Sequence, residues 1–350
     1  MLEKKVKVLI VDDSILFRET ISRFISEDAN IEVVGTAGDP YEARDKILQL
    51  RPDVLTLDVE MPKMNGIQFL KKLIPQYPIP VVVVSSLPLN AFEALDAGAV
   101  DFVKKPLIKS PADLKDFSME LRTKIVIAST AKIIQSKPSA AASQKPLPSI
   151  KEIAAGKKLA QDIVIALGAS TGGTDALQVV MQNLPKDSPP ILVVQHMPAG
   201  FTKMYAERMN RVCQVEVKEA EDGDRLRPGL AIIAAGEYHL RLAKDSQGYY
   251  VTSKKGEKVS GHCPSVDVLF YSVAEVAKSK AIGAILTGMG GDGAKGLLEM
   301  KKAGAYTIGQ NKETCVVYGM PMVAFNIGAV CEQAPLDKIS DIIIQKLNSL

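Results

Sequence analysis

Five short apolar runs, separated by amphipathic stretches, are the feature of this chain that most restricts its fold. They lie at residues 6–11, 31–36, 53–57, 79–84 and 99–103, with helical patterns such as 14–27 and 41–49 between them. Strands that are apolar on both faces, each followed by a helix, have one common solution: a parallel sheet wound with helices on both sides. A second alternating region begins at 162–167, and further strand candidates lie at 190–194, 281–286 and 305–308. The expected fold class is therefore α/β, with two doubly wound parallel-sheet domains. Turn signals between residues 215 and 251 (Asp222-Gly223-Asp224, Arg227-Pro228-Gly229, and 245–248) predict hairpins decorating the second sheet.

Between the two regions the composition changes. The stretch from 136 onward, SKPSAAASQKPLPS, is rich in Ser, Ala, Lys and Pro and lacks aromatic residues. It cannot bury enough to offset its ordering entropy, so a flexible linker is expected. The expected division is 1–125 for the first domain, 126–158 for the linker and 159–350 for the second domain. A chain of 350 residues with 47% hydrophobic content can fill two such cores.

Charge is informative when divided. Residues 1–125 hold 17 Lys and Arg against 19 Asp and Glu, residues 126–161 hold 6 against 1, and residues 162–350 hold 20 against 20. The basic excess sits in the middle, and neither domain has the surplus of a nucleic-acid binder. No apolar run approaches the roughly 18 residues of a membrane span, and the N-terminus reaches Asp12-Asp13 too soon for a secretory signal. Cys213, Cys263, Cys315 and Cys331 are scattered, with no C-x-x-C pair. A cytoplasmic location with reduced thiols, no membrane insertion and a monomeric state are expected.

In the first region, chemistry-bearing residues stand at strand ends. Asp12 and Asp13 follow the first strand, Asp58 the third, Ser85-Ser86 the fourth and Lys105-Pro106 the fifth. In a parallel sheet these gather at one edge, where open α/β folds place their sites. Clustered carboxylates need a cation between them, and oxygen ligands with room for water and phosphate suit Mg²⁺. A lysine and a hydroxyl alongside could hold a phosphoryl group on one carboxylate. Across residues 6–124 this pattern resembles the receiver domains of response regulators. The resemblance implies Asp58 as phosphoacceptor, Asp12 and Asp13 with Asp58 as Mg²⁺ ligands, Lys105 as phosphate-sensing cation, Ser85 or Ser86 as switch hydroxyl, and Phe102 as switch aromatic. Only twelve residues separate Ser85 from Gly98, so the fourth helix must be short.

The second region carries a possible nucleophile. Gly168-Ala169-Ser170-Thr171-Gly172-Gly173 follows an apolar strand and precedes the helical run 174–182. Glycines permit a sharp strand-to-helix turn that exposes Ser170, with helix-start amides nearby to stabilise an oxyanion. His196 ends a second strand, and Asp292 lies beyond a third. Nucleophile, base and carboxylate would thus converge on one sheet edge. His239 and His262 are read as packed or surface histidines without a role.

Two rival patterns use the same stretch. Gly288-x-Gly290-x-x-Gly293 matches a dinucleotide fingerprint, but it stands late, with no long βαβ half after it. Gly168-x-Ser170-x-Gly172 matches the α/β-hydrolase elbow, whose order of Ser, acid and His differs from the order Ser170, His196, Asp292 here.

Five separated motifs together resemble the chemotaxis protein-glutamate methylesterase family (CheB-type): Gly168 to Gly173, Val194-Gln195-His196-Met197-Pro198, Pro264-Ser265-Val266-Asp267, Leu286-Thr287-Gly288-Met289-Gly290, and the stretch from Lys312 to Pro321. The resemblance implies hydrolysis of glutamate methyl esters on chemoreceptors with release of methanol, and deamidation of selected receptor glutamines. Ser170 would be the nucleophile, His196 the base and Asp292 the orienting carboxylate; helix-start geometry, rather than the resemblance, makes amides near Thr171 and in the loop of Met289, Gly290 and Gly291 the candidates for the oxyanion site. No cofactor is expected for ester hydrolysis; Mg²⁺ belongs to the receiver. A sensor histidine kinase would be the phosphodonor, and methyl-accepting chemotaxis receptors the substrate. One chain with both pockets leads to the expectation that the unphosphorylated receiver covers the triad and that phosphorylation opens it. The competing reading is a response regulator with a non-catalytic binding output.

Overall fold

A computed structural model describes residues 4–62, 64–107, 110–132 and 162–349. These residues form two compact units, on either side of residues 133–161.

The first unit alternates strand and helix throughout: β1 (Val6–Val11), α1 (Ile15–Ile25), β2 (Ile31–Ala37), α2 (Pro40–Leu50), β3 (Val54–Asp58), α3 (Gly66–Gln76), β4 (Val81–Ser85), α4 (Pro88–Asp96), β5 (Asp101–Lys104) and α5 (Pro111–Ser129). Its five strands are all parallel, in the order β2-β1-β3-β4-β5. Every residue of β3 and β4 is buried, which accounts for their unbroken apolar runs. Helix starts follow local chemistry. Ser14 caps α1 by accepting from Phe17 N, Asp39 caps α2 ahead of Pro40, and Ser110 and Asp113 form a capping box on α5. The fourth helix has nine residues, as short as the spacing requires.

Helix α5 continues to Ser129, so the first four residues assigned to the linker are helical. Residues 130–132 follow the helix, and residues 133–158 of that segment lie outside the described residues, as does the expected start of the second domain at 159.

The second unit contains β6 (Val164–Ala169), α6 (Gly173–Gln182), β7 (Ile191–Gln195), α7 (Phe201–Val212), β8 (Glu216–Glu219), β9 (Leu230–Ile233), β10 (Tyr238–Asp245), β11 (Gly248–Lys255), α8 (Val266–Val276), β12 (Ala281–Ile285), α9 (Ala294–Lys302), β13 (Tyr306–Gln310), α10 (Met320–Asn326), β14 (Glu332–Ala334) and α11 (Leu336–Leu347). Seven strands form one parallel sheet in the order β14-β13-β12-β6-β7-β9-β8. Its core joins Val164 and Ala166 of β6 and Leu192 and Val194 of β7 to Leu269, Phe270 and Val273 of α8.

The turn-rich region differs from expectation. Only β10 and β11 form a hairpin, whereas β8 pairs with β9 in parallel and extends the main sheet. Leu230 to Ile233 are all buried, as a strand inside a parallel sheet must be. The turns at Asp222-Gly223-Asp224 and Arg227-Pro228-Gly229 therefore belong to a crossover connection, which returns the chain without reversing the strand.

Each sheet reverses its winding direction once, between β1 and β3 in the first unit and between β6 and β12 in the second. Such a switch point leaves a crevice at the carboxyl ends of the strands.

Candidate active site

In the first unit the switch-point crevice is acidic. Asp12 and Asp58 are buried and Asp13 is exposed, and one carboxylate oxygen from each lies within 4.8 Å of the others. Ser14 N donates to Asp12 Oδ1 at 2.9 Å, and Glu60 N donates to Asp58 Oδ1 at 3.1 Å. Lys105 Nζ bridges the remaining oxygens, 2.7 Å from Asp12 Oδ2 and 2.5 Å from Asp58 Oδ2.

Burial pushes the Asp12 carboxyl up to about 6, and the neighbouring Asp58 charge adds to this against the pull of Lys105. Burial opposes the Lys105 ammonium too, yet its two carboxylate partners raise it above the ordinary lysine value. Three carboxylates that bring hard oxygen donors within 4.8 Å of one another fit Mg²⁺.

Ser85 is buried at the end of β4, where its hydroxyl donates to Leu87 O and accepts from Leu87 N, both at 3.2 Å. Ser86, the next residue, is exposed. Phe102 is buried in β5, edge-on to Phe92 with ring centroids 6.1 Å apart.

In the second unit Ser170, His196 and Asp292 meet at the ends of β6, β7 and β12. Ser170 Oγ is 3.1 Å from His196 Nδ1, and His196 Nε2 is 2.7 Å from Asp292 Oδ2. The turn that presents Ser170 is built from close approaches. Gly172 adopts φ +73°, and a Cβ on Gly173 would stand 2.2 Å from Gln195 Oε1. Gly288 brings its loop against the serine: a Cβ there would lie 2.7 Å from Ser170 Cβ.

Asp292 is buried but fully engaged. Ser265 Oγ donates to Oδ1 at 2.7 Å, Val266 N to Oδ2 at 2.7 Å and Asp267 N to Oδ1 at 3.1 Å. These donors are the N-cap and first turn of α8, where the helix dipole favours negative charge. Burial alone would raise this carboxyl; His196, Ser265 and the helix-start amides outweigh it and hold the group below the ordinary aspartate value.

The remaining expected residues surround the same spot. Thr171 is buried, and its carbonyl accepts from Thr287 Oγ1 at 3.0 Å. Met289 and Gly290 are exposed on the loop that Gly288 seats against Ser170.

Two contributors were missed by sequence reasoning. Gln195 Nε2 donates to the carbonyls of Ser170 at 2.9 Å and His196 at 3.2 Å, tying the Ser170 turn to the end of β7. His262, read as packed or surface, stacks on the His196 ring with centroids 3.6 Å apart and planes 10° from parallel. Its place three residues before the helix-capping Ser265 was the available signal. His239 accords with its reading: it is buried in β10 and bonded through Nε2 to Glu257 O at 2.8 Å.

A parallel α/β domain with serine, imidazole and carboxylate joined in series, on one chain with a receiver-like acidic pocket, defines a receiver-linked serine hydrolase. The CheB methylesterase family model matches residues 165–343, and the response regulator receiver domain model matches residues 8–116. The chain belongs to the CheB methylesterase family.

Its relatives include the protein-glutamate methylesterase/protein-glutamine glutaminase 2 of Syntrophomonas wolfei, 53% identical over 347 residues and 99% of each chain. They also include the protein-glutamate methylesterase/protein-glutamine glutaminase of Escherichia coli strain K12, 46% identical over 349 residues, 99% of this chain and 98% of that one. The crystal structure of the Thermotoga maritima CheB methylesterase catalytic domain is similar with a TM-score of 0.52 and 42% identity, covering 53% of this chain and 98% of that one. No helix among the described residues is long and apolar enough to cross a membrane.

Proposed function

We propose that this chain is a phosphorylation-activated hydrolase of glutamate methyl esters on chemoreceptors, acting through Ser170, His196 and Asp292, and that it also deamidates selected receptor glutamines. The observation that carries the reading is the unbroken series from Ser170 Oγ through both ring nitrogens of His196 to the buried Asp292 carboxylate.

His196 Nε2–H donates to Asp292 Oδ2, which leaves the Nδ1 lone pair facing the serine. Ser170 Oγ attacks the ester carbonyl carbon while Nδ1 takes its proton, and Asp292 stabilises the imidazolium that forms. The same Nδ1–H then protonates the departing methoxide, which leaves as methanol while the glutamyl group stays bonded to Ser170 Oγ as an ester. Water, deprotonated by His196, attacks this ester and returns the free carboxylate and the serine. With a glutamine substrate the leaving group is ammonia. Thr171 and the Met289–Gly290 loop flank the nucleophile and are assigned to the oxyanion. None of these steps calls on a metal or organic cofactor.

In the receiver, Asp58 is assigned as phosphoacceptor, with Asp12, Asp13 and Asp58 as the residues that would hold Mg²⁺. When bound, the ion neutralises the carboxylates and the oxygens of the incoming phosphoryl group. Lys105 would pair with the phosphorylated carboxylate, and Ser85, at the end of β4 beside it, is favoured over the exposed Ser86 as the switch hydroxyl. The phosphodonor is a sensor histidine kinase of the chemotaxis system, the working unit is a cytoplasmic monomer, and the first domain runs to the end of α5 at Ser129, with the second beginning near 159. The balance of charge in each half gives a nucleic-acid output no support.

The test is methanol release from methylated receptor membranes, with and without a small-molecule phosphodonor and Mg²⁺. Wild type releases methanol faster once phosphorylated, whereas Asp58→Asn keeps a basal rate that the donor does not change. A donor response that survives in Asp58→Asn would overturn the phosphoacceptor assignment, and absence of methanol release would overturn the activity.

A further inference from the structure

We infer that His262 is a positioning residue for the His196 base; the inference rests on the triad reading above and deepens it. The two imidazoles stack face to face at 3.6 Å, which is van der Waals contact. Hydrogen bonds hold the two nitrogens of His196, one to Ser170 and one to Asp292. Such bonds resist displacement within the ring plane strongly and tilting out of it weakly. A flat aromatic surface against one face opposes that tilt.

The neighbouring ring also has an electrostatic consequence. During attack His196 becomes cationic, and the face of an uncharged aromatic ring attracts a cation. An uncharged ring in this place would favour the charged form of His196 over its resting form, a gain realised as the reaction proceeds.

The segment around His262 is built to hold the ring there. Val259 and His262 exchange two backbone hydrogen bonds of 3.0 Å around a two-residue turn, with Ser260 at φ +53° and Gly261 at φ +85°. Ser260 Oγ donates to Asp267 Oδ2 at 3.3 Å, and Asp267 Oδ1 accepts from Gly296 N at 2.7 Å. Asp267 lies in the first turn of α8, beside Ser265 and Val266, which bind Asp292. One helix start therefore anchors both the carboxylate at the edge of the His196 ring and the turn that bears the imidazole on its face.

Full-length protein is reacted with a fluorophosphonate, which Ser170 attacks at phosphorus with loss of fluoride, and the rate of labelling at Ser170 is followed. This step depends on activation of the serine and not on receptor binding. His262→Ala is expected to slow labelling about tenfold to a hundredfold. His262→Phe, which keeps a flat face, stays within about threefold of wild type, and His262→Gln behaves like the alanine variant. In methanol release the loss falls on kcat, with KM changed by less than about twofold, as for an interaction made in the transition state.

Labelling of His262→Ala at the wild-type rate, or of His262→Phe as slowly as His262→Gln, overturns the stacking role and leaves the triad intact. The comparison of Phe with Gln decides the matter even where the alanine variant does not fold. Wild type that takes no label at Ser170 overturns the triad reading itself, and this inference with it.

Discussion

Gly288 lies so close to Ser170 that a methyl group between them has no room: its Cβ would stand 2.7 Å from the serine Cβ and 2.4 Å from Met320 Sδ. Met320 is fully buried at the start of α10, so the loop cannot yield on that side without disturbing the core. Gly288→Ala is expected to displace the nucleophile turn, lowering kcat at least about tenfold and costing about 1–3 kcal/mol of stability. Methanol release and denaturant titration of the same preparation check both numbers. A variant with full activity would mean that the loop is free to move away from the serine.

The acidic crevice of the receiver makes a different prediction. Lys105 is the cation that bridges the buried carboxylates of Asp12 and Asp58. Lys105→Ala leaves two like charges facing each other, so the receiver is expected to lose about 2–4 kcal/mol of stability in metal-free buffer. Magnesium ions bind the folded form and restore part of it by mass action. Thermal unfolding with chelator and with Mg²⁺ reads this directly; a variant indifferent to both would contradict the assignment of these carboxylates to a cation site.

Stability should also depend on pH through Asp292. Its carboxyl is held below the ordinary aspartate value of 3.8 in the folded protein. A depressed pKa favours the ionised group in the fold, so its contribution is complete above 3.8 and is lost as pH falls through the lower folded value. Asp292→Asn lacks this contribution. Wild type should therefore be the more stable at about pH 7, with the gap narrowing below about pH 4. A gap that stays constant between those limits would show that ionisation of Asp292 does not stabilise the domain.

What could be read from the chain and what could not have separate physical causes. The ends of β1, β3, β6 and β7 were legible because strands buried on both faces are apolar, so a polar residue at their carboxyl end stands out. Asp12, Asp58, Ser170 and His196 all occupy such positions. Parallel strands put Ser170 and His196 on one edge, whereas Asp292 also needs the loop that follows β12 to reach them.

The β8–β9 connection was misread because Gly, Pro and Asp mark a chain reversal without saying whether a hairpin or a crossover follows. The start of the linker was set at 126, inside α5, because the helical segment passes into the linker composition without a proline or glycine at its terminus. His262 was overlooked for a third reason. Its partner ring stands 66 positions earlier in the chain, and only the return of the Val259–His262 turn onto the sheet edge brings the two together. Gln195 was quoted as part of a motif, but its role lies in an amide that reaches two backbone carbonyls, which no spacing reveals.

The central claim is that Ser170 becomes covalently acylated during turnover, and quenched-flow mass mapping tests it most directly. Wild-type enzyme mixed with methylated receptor and stopped in acid should carry the glutamyl adduct on the peptide containing Ser170, and Ser170→Ala should carry none and release no methanol. Methanol release at the wild-type rate by Ser170→Ala, or an adduct on any other residue, would contradict the account.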